Sequence, residues 1–428
     1  MERRGNRPAI IIYVAFYAEL YILISIVLLL KTKVDLCNPA FIFWSAYTVL
    51  LGLGPVVYGF YRSNFVFVYN YYLVILAPLA AFVLGNYVLS CSKKPKGRDR
   101  HIRTYPFDRN IVLLVAYVVG VGAGALFLLR SGLSFTTSDF ESSRITAQSG
   151  MGPYLYLNGM LVLVVPLLFD QVLKARFPKK TFMLLTAMAI TIFLCRGSRT
   201  LAILPFAIMA LQYLTYKKMK LGVHFSLLVF GVIVLVTASV LRGTLNSEAS
   251  LGDYFVTFFG VLTYNLNTQF KFFPDRIDYM LGSTFFMSFN LLLPGAGQDF
   301  TMWLKEAMGQ TFAGGGVTPS IVGEFYINFG MVGVFCGMFI MGGVANFLEE
   351  IAQKSFRHRV FVYYLIVLLA LVVYGGFSTY LLSLSLNTIA YFAISLLSSG
   401  DDLPESYRVE PKGLPYAARA ADASGRLR

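Results

Sequence analysis

A series of long apolar runs separated by short polar connections dominates this chain and restricts what it can fold into. A helix needs ~20 apolar residues to cross a hydrocarbon core of ~30 Å, and it satisfies its own backbone hydrogen bonds where water is absent. With 57% hydrophobic and 14% charged residues, the chain lies far outside the range of soluble globular domains. We therefore predict an all-α, polytopic integral membrane protein with about eleven transmembrane helices. The predicted spans are 9–30, 40–61, 65–90, 110–130, 154–173, 181–195, 200–216, 222–241, 319–348, 360–376 and 377–397.

The basic residues predict the orientation of these spans, because connections rich in Lys and Arg stay in the cytoplasm. Four basic connections alternate with connections that then fall outside. The basic ones are 93–109, 174–180, 217–220 and 354–359, and the outer ones are 131–153, 196–199 and a large external loop at about 242–318. The alternation holds from residue 91 onward.

The N-terminus fits this count less well. Counting spans backward from the cytoplasmic connection at 93–109 places the N-terminus, with Arg3, Arg4 and Arg7, outside. Either the tail is external despite its arginines, or an apolar run between 9 and 90 is re-entrant or misdivided. We predict one membrane domain over 1–397, followed by a disordered cytoplasmic tail at 398–428 that is rich in Ala, Arg, Asp and Pro.

The net charge of +14 does not indicate a nucleic-acid partner, because the basic residues flank apolar runs and would face membrane lipids. The cysteines show no paired spacing, which indicates neither a disulfide framework nor a zinc site. His101, His224 and His358 all fall at the inner face in this topology. We therefore expect no metal and no cofactor at an outer site.

The most informative short stretch is Cys195-Arg196-Gly197-Ser198-Arg199-Thr200, which puts two arginines in a turn between apolar runs. Arg242 follows another apolar run, so all three arginines are predicted at the outer face. Guanidinium groups bind phosphate oxygens in a bidentate fashion, which suits a lipid-linked diphosphate beside the headgroup layer. The alternative is that these arginines only anchor span ends to lipid phosphates.

A second candidate region begins at the glycine-rich turn before the span at 319–348. Thr318 followed by Pro319 predicts a helix start with Thr318 as the N-cap. Ser320, Glu324 and Asn328 recur every four residues, so they form one polar stripe that should face protein and not lipid. A partly buried Glu324 is the best candidate for a general base, and an ion pair with one of the arginines is the competing interpretation.

The external loop is predicted to carry interfacial or re-entrant helices at 255–273 and 285–294. Tyr264 and Asn267 lie in the first of them. Aromatic and amide side chains can cradle sugars, although a helix lying at the headgroup boundary has the same composition.

At these residues the chain resembles the Wzy-type polymerases, which join oligosaccharide repeat units of O-antigen and related bacterial polysaccharides. The resemblance covers roughly 110–397. It rests on the Arg196–Thr200 turn, on Arg242, and on the stretch that runs from Thr318 through Tyr326 to Gly330.

The resemblance implies an inner-membrane glycosyltransferase that works at the periplasmic face without nucleotide sugars. Donor and acceptor would be glycans on undecaprenyl diphosphate, and a chain-length-determining co-polymerase is the expected partner. Arg196, Arg199 and Arg242 would bind the diphosphate, with Arg199 and Arg242 stabilising the charge on the leaving group and Glu324 deprotonating the acceptor hydroxyl. The remaining substrate contacts are assigned to Ser320, Tyr326, Asn328, Tyr264 and Asn267.

A secondary transporter or flippase for an anionic or lipid-linked glycan is the main alternative, with the arginines in a translocation path. Internal repeats would favour it, and the sequence shows none. The asymmetric outer loop also favours a one-sided site over alternating access.

Overall fold

A computed structural model describes residues 7–32, 35, 37–55, 72–91, 110–131, 151–216, 251–292, 299–311, 315–354 and 358–398. All regular structure within these ranges is helical, in agreement with the predicted all-α class. The helices are α1 (Arg7–Thr32), α2 (Pro39–Tyr47), α3 (Ala77–Cys91), α4 (Asn110–Ser131), α5 (Gly152–Gly159), α6 (Leu161–Leu173), α7 (Lys179–Cys195), α8 (Arg199–Tyr216), α9 (Leu251–Phe272), α10 (Thr284–Met287), α11 (Phe300–Ala307), α12 (Ser320–Lys354), α13 (Arg359–Gly375) and α14 (Ser378–Ser398). Short π-helical turns extend α2 over Thr48–Gly52 and precede α3 over Tyr72–Leu76.

Helices occupy at least part of every predicted span except 222–241, which lies outside the described residues. By length and hydropathy, four of the described helical segments could cross a membrane: Asn110–Ser131, Gly152–Leu173, Ser320–Ala352 and Ser378–Ser398. Shorter apolar helices lie at Pro39–Gly52, Val74–Ser90, Thr200–Tyr216 and Arg359–Gly375. The membrane character is therefore supported, while the number of eleven spans stays a prediction.

Contacts between helix ends show how the helices alternate in direction. The turn at Cys37, between α1 and α2, meets the end of α8, because Cys37 Sγ lies 3.5 Å from Thr215 Oγ1. Tyr363, near the start of α13, donates to the same hydroxyl at 2.7 Å. We call this end of the bundle the opposite face. The other end, which holds residues 196–199, is the arginine face.

The first helix follows the same alternation. Lys31, at the end of α1, donates to the backbone and side-chain oxygens of Asn86 at 2.7 and 2.6 Å, so α1 and α3 both end near the opposite face. The start of α1 at Arg7 is consequently on the arginine side of the bundle. This agrees with the backward count from the sequence, although it runs against the usual bias of basic residues.

The α3 and α12 helices approach so closely that their backbones touch. A β-carbon on Gly342 would lie 2.8 Å from the backbone nitrogen of Asn86, and one on Gly85 would lie 2.8 Å from the carbonyl carbon of Phe339. Asn86 also donates to the carbonyl of Gly342 at 3.1 Å. Small residues such as these glycines allow close packing between membrane helices.

The predicted span 319–348 is bent. Gly330 has φ 64° and ψ −158°, which are not helical values. A β-carbon on Gly333 would lie 2.8 Å from the carbonyl oxygen of Phe325, whereas residues eight apart in an unbroken helix are separated by about 12 Å. The first part of α12 therefore folds back toward the second. Gly333 and Gly337 make room for the Phe325 and Phe329 side chains of the same helix.

Candidate functional site at the arginine face

The arginine turn is a short, well-defined connection between α7 and α8. Gly197 has φ 79°, and its N–H donates to the carbonyl of Leu194 at 2.8 Å, while the N–H of Ser198 donates to the carbonyl of Phe193 at 3.0 Å. This pair of hydrogen bonds is the Schellman motif, in which glycine takes the left-handed position that ends a helix. The glycine thus explains why the arginines are held at two adjacent helix ends.

Arg196 is partly buried and points toward α5. Its Nη1 donates to the carbonyl of Leu155 at 2.9 Å and to Oδ1 of Asn158 at 3.1 Å. Asn158 is fully buried and in turn donates to the carbonyl of Gly120 on α4 at 3.2 Å. Arg196 therefore ties the turn to α5 and α4, and diphosphate binding by its other donors stays a prediction.

The remaining predicted arginines are not placed. The Arg199 side chain and Arg242 lie outside what the structure describes, although α8 begins at Arg199.

The structure adds an arginine at this face that was not predicted from the sequence. Arg130, in the last turn of α4, lies over the Tyr154 ring at 5.4 Å from its centroid. Arg130 and Arg196 thus contact the same short helix, α5, from two neighbouring helices.

The start of α12 differs from the predicted cap. The helix begins at Ser320, whose side-chain oxygen accepts the N–H of Gly323 at 3.2 Å. Thr318 was predicted as the N-cap, and this is wrong, because its hydroxyl lies 3.5 Å from Tyr374 OH instead. Ser320 takes the capping role with a positive φ of 58°.

The predicted polar stripe is confirmed as an interior feature. Ser320, Glu324 and Asn328 are each 0% exposed, so all three face protein. In the same part of α12, before the bend at Gly330, Phe329 is 43% exposed. A four-residue period on a helix places such a polar stripe on one face.

The Glu324 carboxylate is bound by the turn between α13 and α14. Oε1 accepts the N–H of Ser378 at 3.0 Å, and Oε2 accepts the N–H groups of Phe377 and, at 3.2 Å, of Ser378. The Thr284 hydroxyl donates to Oε1 at 3.5 Å. These partners are neutral donors, so the alternative of an ion pair between Glu324 and one of the arginines is not seen among the described contacts of the carboxylate.

Asn328 joins α12 to the segment before α10. Its Oδ1 accepts the N–H of Gly282 at 2.8 Å, and its Nδ2 donates to Thr284 Oγ1 at 2.6 Å and to the carbonyl of Glu324 at 2.8 Å. The bend at Gly330 frees the carbonyls of Ile327 and Asn328, which accept the N–H groups of Met280 and Leu281 at 3.0 and 3.1 Å. Backbone groups released by a helix break inside a membrane protein must be satisfied in this way.

The other predicted substrate-binding residues fall in different environments. Tyr326 is 8% exposed, and its hydroxyl donates to the carbonyl of Phe273 at 3.0 Å. Tyr264 is 46% exposed, and Asn267 on the same helix is partly exposed. Tyr264 and Asn267 are thus accessible on α9, whereas Ser320, Tyr326 and Asn328 are buried and hydrogen-bonded within the protein.

The α9 helix is not a simple interfacial helix. Asn265 is buried and donates to the carbonyl of Thr318 at 3.2 Å, and Gln269 is fully buried against Gly323. One face of α9 therefore packs against the start of α12. Composition alone, which predicted an interfacial or re-entrant helix over 255–273, does not reveal packing of this kind.

A continuous set of contacts connects the arginine turn with Glu324. Arg196 contacts α5, and Gly152 at the start of α5 packs against the carbonyl of Leu291. Ser288, in the 3₁₀ turn Ser288–Leu292, donates to the carbonyl of Ser378 at 2.9 Å. Ser378 then binds Glu324. The two regions singled out from the sequence consequently lie at the same end of the bundle.

Histidine lies elsewhere among the described residues. His358 precedes α13 at the opposite face, where its Nδ1 lies 2.9 Å from Tyr391 OH. His101 and His224 lie outside the described residues. Within the ranges that the structure describes, no group of three or more His, Cys, Asp and Glu side chains could hold a metal ion.

Comparison with known proteins adds no relative: no family model, no curated protein and no solved structure matches this chain.

Proposed function

We propose that this protein is a membrane glycosyltransferase that polymerises oligosaccharide repeat units carried on undecaprenyl diphosphate. In this reaction the bond between the donor sugar and its diphosphate breaks, and a bond from that sugar carbon to an acceptor hydroxyl forms. Undecaprenyl diphosphate leaves with the bonding electron pair, and the hydroxyl proton passes to a base. The proposed site faces the periplasm of a bacterial inner membrane.

The observation that carries the proposal is the shared position of the arginine turn and the polar start of α12. Both lie at one end of a bundle whose outer surface is apolar, and α5, the Ser288–Leu292 turn and α14 connect them. A diphosphate at the membrane surface needs cations at a helix end, and an acceptor sugar needs polar groups beside them. Four arginines, Arg130, Arg196, Arg199 and Arg242, are the proposed source of positive charge.

The proposed roles follow from the chemistry of each residue. Arg199 and Arg242 would bind the diphosphate and stabilise the charge that develops as it leaves. Arg196 would hold the turn through α5 and contribute positive charge to the site. Tyr264 and Asn267, which are accessible on α9, would contact the glycan. The assignment of Glu324 as the general base stays a prediction from the sequence.

A chain-length-determining co-polymerase is the proposed partner, since a polymerase of this kind produces chains of controlled length. Co-purification of the two membrane proteins in mild detergent would test this partnership. A glycan length distribution that does not change when the co-polymerase is added to the reconstituted protein would argue against it.

Reconstitution tests the reaction itself. Purified protein in lipid nanodiscs, given undecaprenyl-diphosphate-linked repeat units, should produce a ladder of longer glycans and release one undecaprenyl diphosphate per bond. The same protein in sealed vesicles would distinguish the polymerase from a transporter or flippase. Movement of the lipid-linked glycan across the membrane with no new glycosidic bond would support the transporter or flippase and overturn the polymerase.

A further inference from the structure

The Glu324 carboxylate is buried and accepts hydrogen bonds from the protein backbone, which suits a structural role better than contact with substrate. We propose that Glu324 is a positioning residue: it is the anion that caps the N-terminus of α14 and so fixes the segments that border the arginine turn. The role of Glu324 in the reaction rests on the proposed function. Its binding to the start of α14 can be tested without any assay of that reaction.

The first step of the argument is the start of α14. The first N–H groups of any helix have no partner within the helix, and a side-chain acceptor at the preceding residue usually satisfies one of them. The residue before α14 is Phe377, which has no side-chain acceptor. Glu324 supplies the acceptor from 54 residues away, and it binds the N–H groups of both Phe377 and Ser378.

The second step concerns charge. Glu324 is 0% exposed, and its contacts are with backbone N–H groups and the Thr284 hydroxyl. The N-terminus of a helix carries a partial positive charge, and α14 is 21 residues long. This helix end can therefore stabilise a buried carboxylate in the same way that it would bind a phosphate.

The third step is the direction of the hydrogen bonds. Thr284 Oγ1 accepts a hydrogen bond from Asn328 Nδ2 at 2.6 Å, so its own hydrogen is available for Glu324 Oε1. Every partner of the carboxylate is then a donor, which fits the ionised form as a pure acceptor. A general base must present an oxygen to the acceptor hydroxyl, yet both oxygens are bound inside the protein.

The fourth step connects the cap to the arginine turn. Ser378 binds Glu324 through its N–H and accepts from Ser288 through its carbonyl at 2.9 Å. The Ser288–Leu292 turn packs against Gly152 at the start of α5, and α5 binds Arg196. Loss of the carboxylate would release the start of α14 and, through it, the support of the turn that holds Arg196.

Hydrogen–deuterium exchange of the full-length protein in nanodiscs tests the cap directly. In Glu324→Gln, peptides that cover 377–382 should exchange about tenfold faster, because an amide NH₂ replaces one acceptor of a charge-assisted bond. Glu349→Gln, near the other end of α12, is the matched control and should leave these peptides unchanged. Unchanged exchange in Glu324→Gln would overturn the proposal.

Rescue separates positioning from base catalysis. Phe377→Asp places a carboxylate at the N-cap of α14, where it can bind the first turn locally. The double variant Glu324→Gln/Phe377→Asp should recover slow exchange at 378–382 and at least a tenth of wild-type chain elongation, whereas Glu324→Gln alone should lose both. Restored exchange without any elongation would reassign Glu324 to catalysis and overturn the positioning role.

The two proposals can fail separately. If wild-type protein elongates no glycan under any condition, the proposed polymerase function fails, while the exchange comparison still decides whether Glu324 caps α14.

Discussion

Gly376 and Glu324 meet so closely that no side chain fits between them. A β-carbon on Gly376 would overlap Oε2 of Glu324 and would lie 3.3 Å from its Cδ and 2.9 Å from Cγ of Pro319. Gly376 also has φ 75°, a conformation that L-residues with a side chain rarely adopt. The glycine therefore provides both the turn and the space that let the carboxylate reach the start of α14.

The first prediction concerns this glycine. Gly376→Ala should destabilise the protein by more than ~2 kcal/mol, since the strain of a positive φ adds to the steric overlap with the carboxylate. Thermal unfolding in detergent, followed by fluorescence-detected size exclusion, measures the effect. Gly309→Ala isolates the conformational part, because Gly309 has φ 63° with nothing within 4 Å of a β-carbon. Equal losses in the two variants would show that the overlap with Glu324 costs nothing.

The second prediction concerns the contact between α3 and α12. Gly342→Ala should prevent normal packing, because its β-carbon would enter the backbone of α3 at Phe82 and Asn86. Gly122→Ala on α4 is the control, since nothing lies within 4 Å of its β-carbon and alanine favours a helix by ~0.5–1 kcal/mol. The yield of monodisperse protein should fall for the first variant and stay unchanged for the second. A normal yield of Gly342→Ala would contradict the close approach of the two backbones.

The third prediction concerns Asn328, which makes three hydrogen bonds in the bend of α12. Asn328→Leu should cost ~1–3 kcal/mol, because the N–H of Gly282 would lose its acceptor in a partly buried site. Asn267→Leu on the partly exposed surface of α9 should change stability by less than ~1 kcal/mol. If Asn267 contacts the glycan as proposed, Asn267→Leu should lower the rate of elongation at limiting substrate. An unchanged rate would show that Asn267 is not part of the site.

The fourth prediction separates the arginines by function. Arg199→Lys and Arg242→Ala should abolish long-chain glycan while the amount of protein stays normal, since lysine cannot reproduce the bidentate fork of arginine. Arg196→Lys should also lower the unfolding temperature, because Arg196 binds both Leu155 and Asn158 on α5. Gel ladders of glycan length and unfolding curves measure the two effects. Normal ladders for Arg199→Lys and Arg242→Ala would remove the diphosphate-binding proposal.

The structure shows which parts of the site a sequence can predict. The four-residue spacing of Ser320, Glu324 and Asn328 was sufficient to place them on one buried stripe, because helical periodicity is local. The partners of Glu324 were not predictable, since Thr284 and Ser378 lie 40 and 54 residues away and meet it only through the fold. Gly330 looks like any packing glycine in an apolar run, so the bend it allows left no signal in the sequence.

The choice of N-cap shows a different limit. Thr318 and Ser320 are both good capping residues, and Pro319 between them favours the first. The structure selects Ser320, whose positive φ places its hydroxyl on the N–H of Gly323, while Thr318 binds toward Tyr374. N-cap propensity could not decide between Thr318 and Ser320, because the contact of Thr318 with Tyr374 on α13 forms only in the folded protein.

The last prediction concerns which side of the membrane the arginine face occupies. In a background without the native cysteines, Ser198→Cys should react with a membrane-impermeant maleimide added to intact spheroplasts. Thr215, at the end of α8, lies at the opposite face, so Tyr216→Cys should react only after the membrane is opened. Because both positions flank the same helix, their labelling must differ if α8 crosses the membrane. The reverse pattern would place residues 196–199 in the cytoplasm, where nucleotide sugars are the available donors, and would exclude a periplasmic polymerase.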